Sequence, residues 1–134
     1  MTKDEVPLIV VDAANVVGSR PDGWWRDRAG AARRLLTQLT SLKEHLEQPT
    51  DVVVVLEGAA KSAVAEQTAP DDLRVVSADG SGDDAIVGVV AAAAAQDNGR
   101  SITVVTADRG LRDRVEPLGA VTVGPRWLLD RIGP

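Results

Sequence analysis

Short runs of apolar residues alternate along this chain with longer segments in which apolar residues recur every three or four positions. Continuous apolar runs are typical of buried β-strands, and the longer spacing is typical of amphipathic helices. The short runs predict strands over residues 7–12, 51–56, 73–77, 102–106 and 120–123. The longer segments predict helices over residues 26–47, 83–96, 108–118 and 126–132, with a loop over 13–25 and a short helix or loop over 59–69.

This alternation of strands and helices predicts an α/β fold, in which a parallel sheet of about five strands carries helices on both faces. The chain has 134 residues, which fits one domain over residues 1–134 with one core. Its hydrophobic fraction is 44%, supplied mostly by Val and Ala, and it contains no Phe or Tyr. Such small aliphatic side chains suit parallel strands that are covered by closely packed helices.

Several kinds of site and location are excluded by residues that the sequence lacks. Without cysteine there are no disulfides, thiolate nucleophiles or Cys-based zinc sites. The single histidine, His45, is predicted late in the first long helix, far from the strand ends, so the usual acyl-transfer triads lack their base. The N-terminus shows no signal, and no apolar stretch reaches the length of about 20 residues that spans a bilayer. We therefore expect a cytoplasmic protein with no membrane contact.

The charge distribution bears on nucleic-acid binding. The formal net charge of -5 argues against a protein that coats nucleic acid through bulk positive charge. The cations are nearly all arginine, whose planar guanidinium suits phosphate. Two groups of them are clustered in sequence: Arg20, Arg26 and Arg28, and then Arg109, Arg112 and Arg114. Of these we expect Arg20, Arg26 and Arg109 to contact phosphate, the alternative being a solvated helix surface.

Carboxylates follow the first four predicted strands, and the carboxyl ends of parallel strands meet at one edge of a sheet. They are Asp12, Glu57, the pair Asp83 and Asp84, and Asp108. Each has a simpler interpretation, as a turn acceptor, a solvated loop acid, a helix N-terminal acid or a helix cap. Together in a cleft, however, they would repel and their pKa values would rise unless a cation joined them. Oxygen ligands of this kind suit Mg²⁺ or Mn²⁺.

The adjacent acids open the most apolar helix of the chain. Its inward stripe is predicted to be Val87, Val90, Ala91 and Ala94. Asp83 and Asp84 lie one turn before that stripe, so both are expected near the cleft. We expect one of them to cap the helix while the other reaches the ion, with Asp84 the stronger ligand candidate and Asp83 sharing or supporting it.

Other phosphate chemistries lack their motifs. There is no GxxxxGK[ST], so the GSGDD stretch at 80–84 is not a P-loop. No GxGxxG follows the first strand, and Ala14 stands where a phosphoaspartate hydrolase would need a second Asp.

Four short segments, taken in order, resemble the PIN-like nuclease superfamily and most closely its NYN branch. They are VVDAAN (10–15), LEG (56–58), GDDAIV (82–87) and VVTADRGLR (104–112), within a resemblance over residues 7–124. The resemblance implies a three-layer Rossmann-like PIN domain with strand order 3-2-1-4-5. It also implies a Mg²⁺- or Mn²⁺-dependent ribonuclease that hydrolyses RNA phosphodiesters.

The resemblance also assigns roles to residues. The metal or metals would be held by Asp12, Asp83, Asp84 and Asp108, which position the attacking water, with Glu57 as a further ligand candidate. Asn15 would orient Asp12 or touch substrate, and Thr106 would support the site from behind. Ser81 is a further candidate for substrate contact or support.

Two other functions fit the same residues: a metal-dependent phosphohydrolase acting on small nucleotides such as nucleoside triphosphates, and a non-catalytic module that binds RNA or a partner. Trp24 and Trp25 would either stack on a base or pack in the core. The apolar segment WLLDRI (127–132) is a candidate homodimer surface, although packing on its own core is the favoured interpretation.

Overall fold

The computed structural model describes residues 6–19, 23, 26–46, 50–58, 73–96 and 100–132. Four expectations lie outside these residues: phosphate contact by Arg20, the roles of Trp24 and Trp25, and the helix or loop over 59–69.

The Val-rich runs form five parallel strands of one sheet, as predicted. They are β1 (Leu8–Asp12), β2 (Asp51–Leu56), β3 (Leu73–Ser77), β4 (Ile102–Val105) and β5 (Val121–Val123). The strand order is β3-β2-β1-β4-β5, which confirms the expected order. In the centre of the sheet Val10 of β1 lies opposite Val53 of β2 and Val104 of β4. Every residue of β1 is buried, because both faces of a parallel sheet are covered.

Five α-helices connect and cover the described strands. They are α1 (Ala13–Gly18), α2 (Arg28–His45), α3 (Gly82–Ala95), α4 (Arg109–Val115) and α5 (Pro125–Ile132). A 3₁₀ turn over Glu116–Leu118 follows α4 and ends at Gly119, whose φ of 102° is one that glycine adopts without strain. The expected loop over 13–25 is wrong at its start, because residues 13–18 form α1. This helix has six residues, fewer than two turns, which is too short for a helical periodicity to be visible in the sequence.

Two hydrophobic layers cover the sheet, one on each face. Successive residues of a strand point to opposite faces, so Ile9 and Val11 of β1 enter the first layer and Leu8 and Val10 enter the second. Helices α1, α2 and α5 form the first layer, and α3 and α4 form the second. Leu39 of α2 is fully buried, and such a side chain contributes about 1.5–3 kcal/mol on leaving water.

The C-terminal helix α5 packs on the core of its own chain. Leu128 is fully buried in the first layer, and Trp127, Leu129 and Ile132 are partly buried against it. Arg131 stacks over the Trp127 ring, 4.1 Å from its centroid. A homodimer through this segment stays a prediction. Among the described helices none is both long and apolar enough to cross a membrane.

Candidate active site

Asp12 ends the central strand and is 6% exposed. Its side chain caps α1 by accepting the backbone N–H of Asn15 at Oδ1, 3.4 Å away. Its other oxygen, Oδ2, accepts the hydroxyl of Thr106 at 2.9 Å. The turn-acceptor interpretation of Asp12 is therefore correct, and it leaves the carboxylate fixed at the carboxyl edge of β1.

Thr106 joins two of the candidate acids through one hydroxyl. It is fully buried directly after β4, where its Oγ1 donates to Asp12 and accepts the backbone N–H of Asp108 at 3.1 Å. Its carbonyl oxygen accepts Nε of Arg112 at 2.9 Å. Arg112 therefore braces the loop between β4 and α4, a role that the sequence did not suggest.

Asn15 supplies a second link between β1 and the loop that carries Asp108. Its side-chain Oδ1 accepts the backbone N–H of Ala107 at 2.8 Å, while its own backbone N–H serves Asp12. The expectation that Asn15 orients Asp12 fits this backbone contact. The Asn15 side chain does not contact Asp12; it holds Ala107, the residue between Thr106 and Asp108.

Asp108 caps helix α4. Its Oδ1 accepts the backbone N–H of Leu111 at 3.0 Å, and the residue is otherwise exposed. The cap interpretation is therefore correct for this acid. A capping contact engages one oxygen of a carboxylate and leaves the second oxygen for other contacts.

Glu57 is tied to the start of α3. Its Oε2 accepts the backbone N–H of Gly82 at 2.5 Å, so the solvated-loop interpretation of this acid is wrong. A Cβ atom on Gly82 would lie 3.0 Å from the Glu57 Cδ and 3.1 Å from Oε2. Glycine is therefore what allows the carboxylate to reach the helix N-terminus, where the helix dipole favours negative charge.

The capping expectation for Asp83 and Asp84 is wrong. The N-cap of α3 is Ser81, whose side-chain oxygen accepts the backbone N–H of Asp84 at 3.1 Å. The buried stripe of the helix also differs from the expected one, since it consists of Gly82, Ile86, Val90 and Ala93. Of the four residues expected there Val90 is buried, Val87 and Ala94 are partly buried against the core, and Ala91 is exposed, so the stripe is rotated by about one residue.

That rotation separates the two acids. Asp83 is partly buried, and its pKa responds to the charges of Glu57 and Asp108. Asp84 is 72% exposed at its side chain and forms an ion pair with Arg114 at 2.9 Å. Asp83 thus lies in the field of the other acids, whereas Asp84 pairs with a cation on α4, and the ranking of the two as ligands stays a prediction.

The acids share one electrostatic field. Burial raises the pKa of Asp12 above its usual value of about 3.8, the hydrogen bonds from Thr106 and Asn15 lower it, and the charges of Asp83 and Glu57 raise it. Burial also raises the pKa of Asp83, as do Asp108, Glu57 and Asp84, while Arg114 lowers it. We call Asp12, Glu57, Asp83 and Asp108 the carboxylate cluster. Each shift has the direction expected for like charges held close together.

The carboxylate cluster fits a divalent cation in its donor chemistry. All its donors are carboxylate oxygens, which Mg²⁺ and Mn²⁺ prefer, and a cation would offset the like-charge repulsion that, after burial, raises the pKa values of Asp12 and Asp83. Within the described ranges, however, no group of three Asp, Glu or His side chains is arranged so that it could hold a metal ion. The acids therefore interact through their charges, and Asp12 and Asp108 are also linked through their hydrogen bonds with Thr106.

The clustered arginines differ in their contacts. Arg26 and Arg109 are exposed, and Arg109 directly follows Asp108. Arg112 and Arg114 are engaged with Thr106 and Asp84, so their roles include holding the acidic loops.

Two cavities flank α1 at the carboxyl edge. One, of about 410 Å³, is lined by Ala13, Ala14, Val17, Arg28, Ala32, Glu57, Gly58 and Gly80. The other, of about 540 Å³, we call the α1–α5 pocket; it is lined by Ala14, Asn15, Gly18, Ser19, Ala107, Pro125, Arg126 and Leu129. Sequence reasoning missed Arg126. It follows the fifth strand, so the rule that located the acids after the first four strands would have found it.

Comparison with known proteins identifies the fold. No family model matches the sequence, and no curated protein matches it. Among solved structures, the chain is similar to Rae1 (YacP) from Bacillus subtilis, with a TM-score of 0.79 and 17% identity over 95% of this chain and 74% of that one. A tryptophan-to-leucine mutant of Rae1 gives a TM-score of 0.75 and 18% identity over 95% and 75% of the two chains. The chain therefore has a PIN-like α/β fold.

Proposed function

We propose that this protein is a metal-dependent ribonuclease that hydrolyses RNA phosphodiesters. The observation that carries the proposal is the carboxylate cluster, gathered at the carboxyl edge of a PIN-like sheet and organised there by buried Thr106. Ligands of open parallel sheets bind at this edge, near the point where the strand order reverses. In this chain that point is β1, which ends in Asp12.

The acids of the cluster are the ligand candidates for the expected cation. A bound Mg²⁺ or Mn²⁺ would be held by Asp12, Asp83 and Asp108, with Glu57 and Asp84 as further candidates, and would neutralise phosphate charge and activate water. Asp12 is held in one orientation by the Thr106 hydroxyl. Glu57 is held by the Gly82 amide, so its position is fixed relative to the start of α3.

Asp83 is the member best suited to move a proton. It is partly buried and lies in the field of Asp108 and Glu57, so its carboxylate is placed beside the other acids of the cluster, where an attacking water would bind. Within the described residues its carboxylate accepts no hydrogen bond that would compete with substrate water. In the proposed step the water oxygen attacks phosphorus and Asp83 accepts the water proton, while the bond from phosphorus to the leaving oxygen breaks and that oxygen takes a proton from solvent to leave as a hydroxyl.

Cleavage of RNA by the purified protein tests this function. Wild-type protein with Mn²⁺ is expected to cut RNA, and Asp83→Asn is expected to lose at least about 100-fold in rate because it removes the base. Asp84→Asn makes the same chemical change one residue away and is expected to lose much less. Asp113→Asn, on the exposed surface of α4, serves as a control with wild-type activity.

A second candidate is a metal-dependent nucleotide phosphohydrolase. The two cavities beside the cluster, of about 410 and 540 Å³, are within the range of about 300–1,000 Å³ that is typical of small-molecule sites. Release of phosphate or pyrophosphate from nucleoside triphosphates, without cleavage of RNA, would favour this function. The absence of metal binding by calorimetry, with no hydrolysis of either substrate, would favour a binding module.

A further inference from the structure

The α1–α5 pocket lies beside the carboxylate cluster but differs from it in charge. Asn15 and Ala107 line the pocket and are hydrogen-bonded to each other. Asn15 comes three residues after Asp12, and Ala107 directly precedes Asp108. The opposite wall is formed by Pro125, Arg126 and Leu129 at the start of α5. The described residues that line the pocket include one arginine and no acid, in a chain of net charge -5.

Two groups in this pocket have hydrogen-bond donors to offer a ligand. The Asn15 Oδ1 is committed to the Ala107 amide, which orients the side-chain Nδ2 as a donor that has no acceptor among the described residues. The guanidinium of Arg126 is exposed and has no hydrogen-bond or ion-pair partner within the same part of the chain. A ligand that meets both groups must present acceptor oxygens, and Arg126 favours an anionic one.

The rest of the lining is small or apolar. Ala14, Gly18, Ala107 and Leu129 provide surface for a flat, weakly polar group, while Ser19 uses its hydroxyl hydrogen on the carbonyl of Val16. A nucleotide combines such a group with a phosphate. The cavity volume of about 540 Å³ is in the range for a ligand of this size.

We propose that the α1–α5 pocket binds the nucleotide next to the one whose phosphodiester is cleaved, with Arg126 contacting its phosphate and Asn15 donating to an oxygen of the same nucleotide. This inference rests on the proposed ribonuclease function, because it identifies the pocket as a continuation of that active site. It assigns Arg126 to substrate binding and gives α5 a functional role in addition to packing on the sheet.

Equilibrium binding of a fluorescent single-stranded RNA decamer tests the assignment. The parent is Asp12→Asn, in which cleavage is expected to be blocked, and binding is followed by anisotropy in Mn²⁺ at several salt concentrations. Adding Arg126→Ala is expected to weaken binding about tenfold, since a hydrogen bond to a charged group is lost. The slope of log K against log salt should fall by about 0.7, the value for one phosphate contact on a single strand.

Two further variants define what the arginine contributes. Arg126→Lys keeps the charge but not the planar fork, so it should lose less affinity than Arg126→Ala and keep the salt slope. Arg131→Ala is the matched control on the same helix. The guanidinium of Arg131 stacks on Trp127 and does not line the pocket, so this variant should bind RNA like the parent.

The outcomes separate this inference from the proposed function. If wild-type protein cuts RNA while Arg126→Ala binds with parental affinity and salt slope, the pocket assignment is overturned and the ribonuclease function stands. If Arg126→Ala weakens binding with the expected slope but wild-type protein cuts no RNA, the pocket binds nucleotides and the ribonuclease function is lost.

Discussion

The hydroxyl of Thr106 donates to Oδ2 of Asp12 across 2.9 Å, from a position with no solvent exposure. The Thr106 hydroxyl oxygen also accepts the backbone N–H of Asp108. The positions of two acids, which follow two neighbouring strands, therefore depend on one side chain. A hydrogen bond to a buried carboxylate is among the stronger ones in proteins. Its loss should therefore change both the stability of the fold and the geometry of the cluster.

Replacing Thr106 with Val keeps the shape of the side chain and removes the hydroxyl. We expect the free energy of unfolding to fall by about 1–3 kcal/mol, because the Asp12 carboxylate loses a donor while it stays buried. Mn²⁺ affinity and RNA cleavage should each fall about 10–100-fold, as for residues that orient metal ligands. Urea unfolding, calorimetry and cleavage rates measure these effects.

Thr106→Ser is the matched control, since it restores the hydroxyl and lacks only the methyl group. It should recover most of the metal affinity and activity. Equal losses in the Val and Ser variants would show that packing at this position matters and the hydrogen bond does not.

Neutralising each member of the aspartate pair should change stability in opposite directions at pH 7. Asp83→Asn removes a charge that Glu57 and Asp108 oppose, so Tm should rise. Asp84→Asn breaks an exposed ion pair with Arg114, so the free energy of unfolding should fall by up to about 1 kcal/mol. Both acids lie in the first turn of α3, so the helix-dipole contribution largely cancels in the comparison. Thermal unfolding of the two variants in chelator would refute this if both moved the same way.

The raised pKa values predict a pH dependence with a defined sign. Because Asp12 and Asp83 have pKa values above about 3.8 in the folded chain, the folded state binds their protons more tightly than the unfolded state does. The stability from this source is fully present below about pH 4 and is lost as pH rises through the folded values. Wild-type protein should therefore lose stability relative to Asp83→Asn between about pH 4 and pH 7. Urea titrations that give a constant difference across this window would contradict the assignment.

A divalent cation should reverse that loss. At about 100 times its dissociation constant, Mn²⁺ is expected to stabilise wild-type protein by about 2.7 kcal/mol. The gain should shrink on acidification, because protons compete for the same carboxylates, and should be largely absent from Asp12→Asn and Asp83→Asn. Thermal shift with Mn²⁺ measures it. An equal gain in wild type and both variants would place the ion elsewhere.

Two glycines of α3 provide a test of the Glu57 contact. Alanine is favoured over glycine in a helix by about 1 kcal/mol, so Gly88→Ala, with nothing within 4 Å of its added Cβ, should stabilise the fold. At Gly82 the added Cβ would crowd the Glu57 carboxylate, so Gly82→Ala should lower the free energy of unfolding. The loss should persist in a Glu57→Gln background, because the amide has the same bulk as the carboxylate. Stabilisation at both sites would show that the close approach is not required.

Much of the fold follows from periodicity in the sequence, and the errors have physical causes. The strands are unbroken runs such as DVVVVL, which have few alternative interpretations. The phase of α3 could not be read, because Val and Ala occupy nearly every side of residues 85–95 and define no single apolar face. The ranking of Asp83 and Asp84 depended on that phase, and the pairing of Asp84 with Arg114 depends on how α3 and α4 pack. The motifs predicted that Thr106 and Asn15 support the site. Their hydrogen-bond partners could not be predicted, because they depend on how the loop after β4 packs against the end of β1.

Among the described strands, β1, β2 and β3 build one side of the sheet outward from its centre, and α3 then carries the chain from β3 at the edge to β4 on the other side of β1. Asp12 and Glu57 precede α3 in the chain, Asp83 lies in its first turn, and Thr106 and Asp108 follow it. Neither part of the chain alone holds the Asp12 carboxylate in its hydrogen bond or gathers the four acids. The cluster is thus complete only when the strands on both sides of β1 have joined, and its chemistry is confined to the folded molecule.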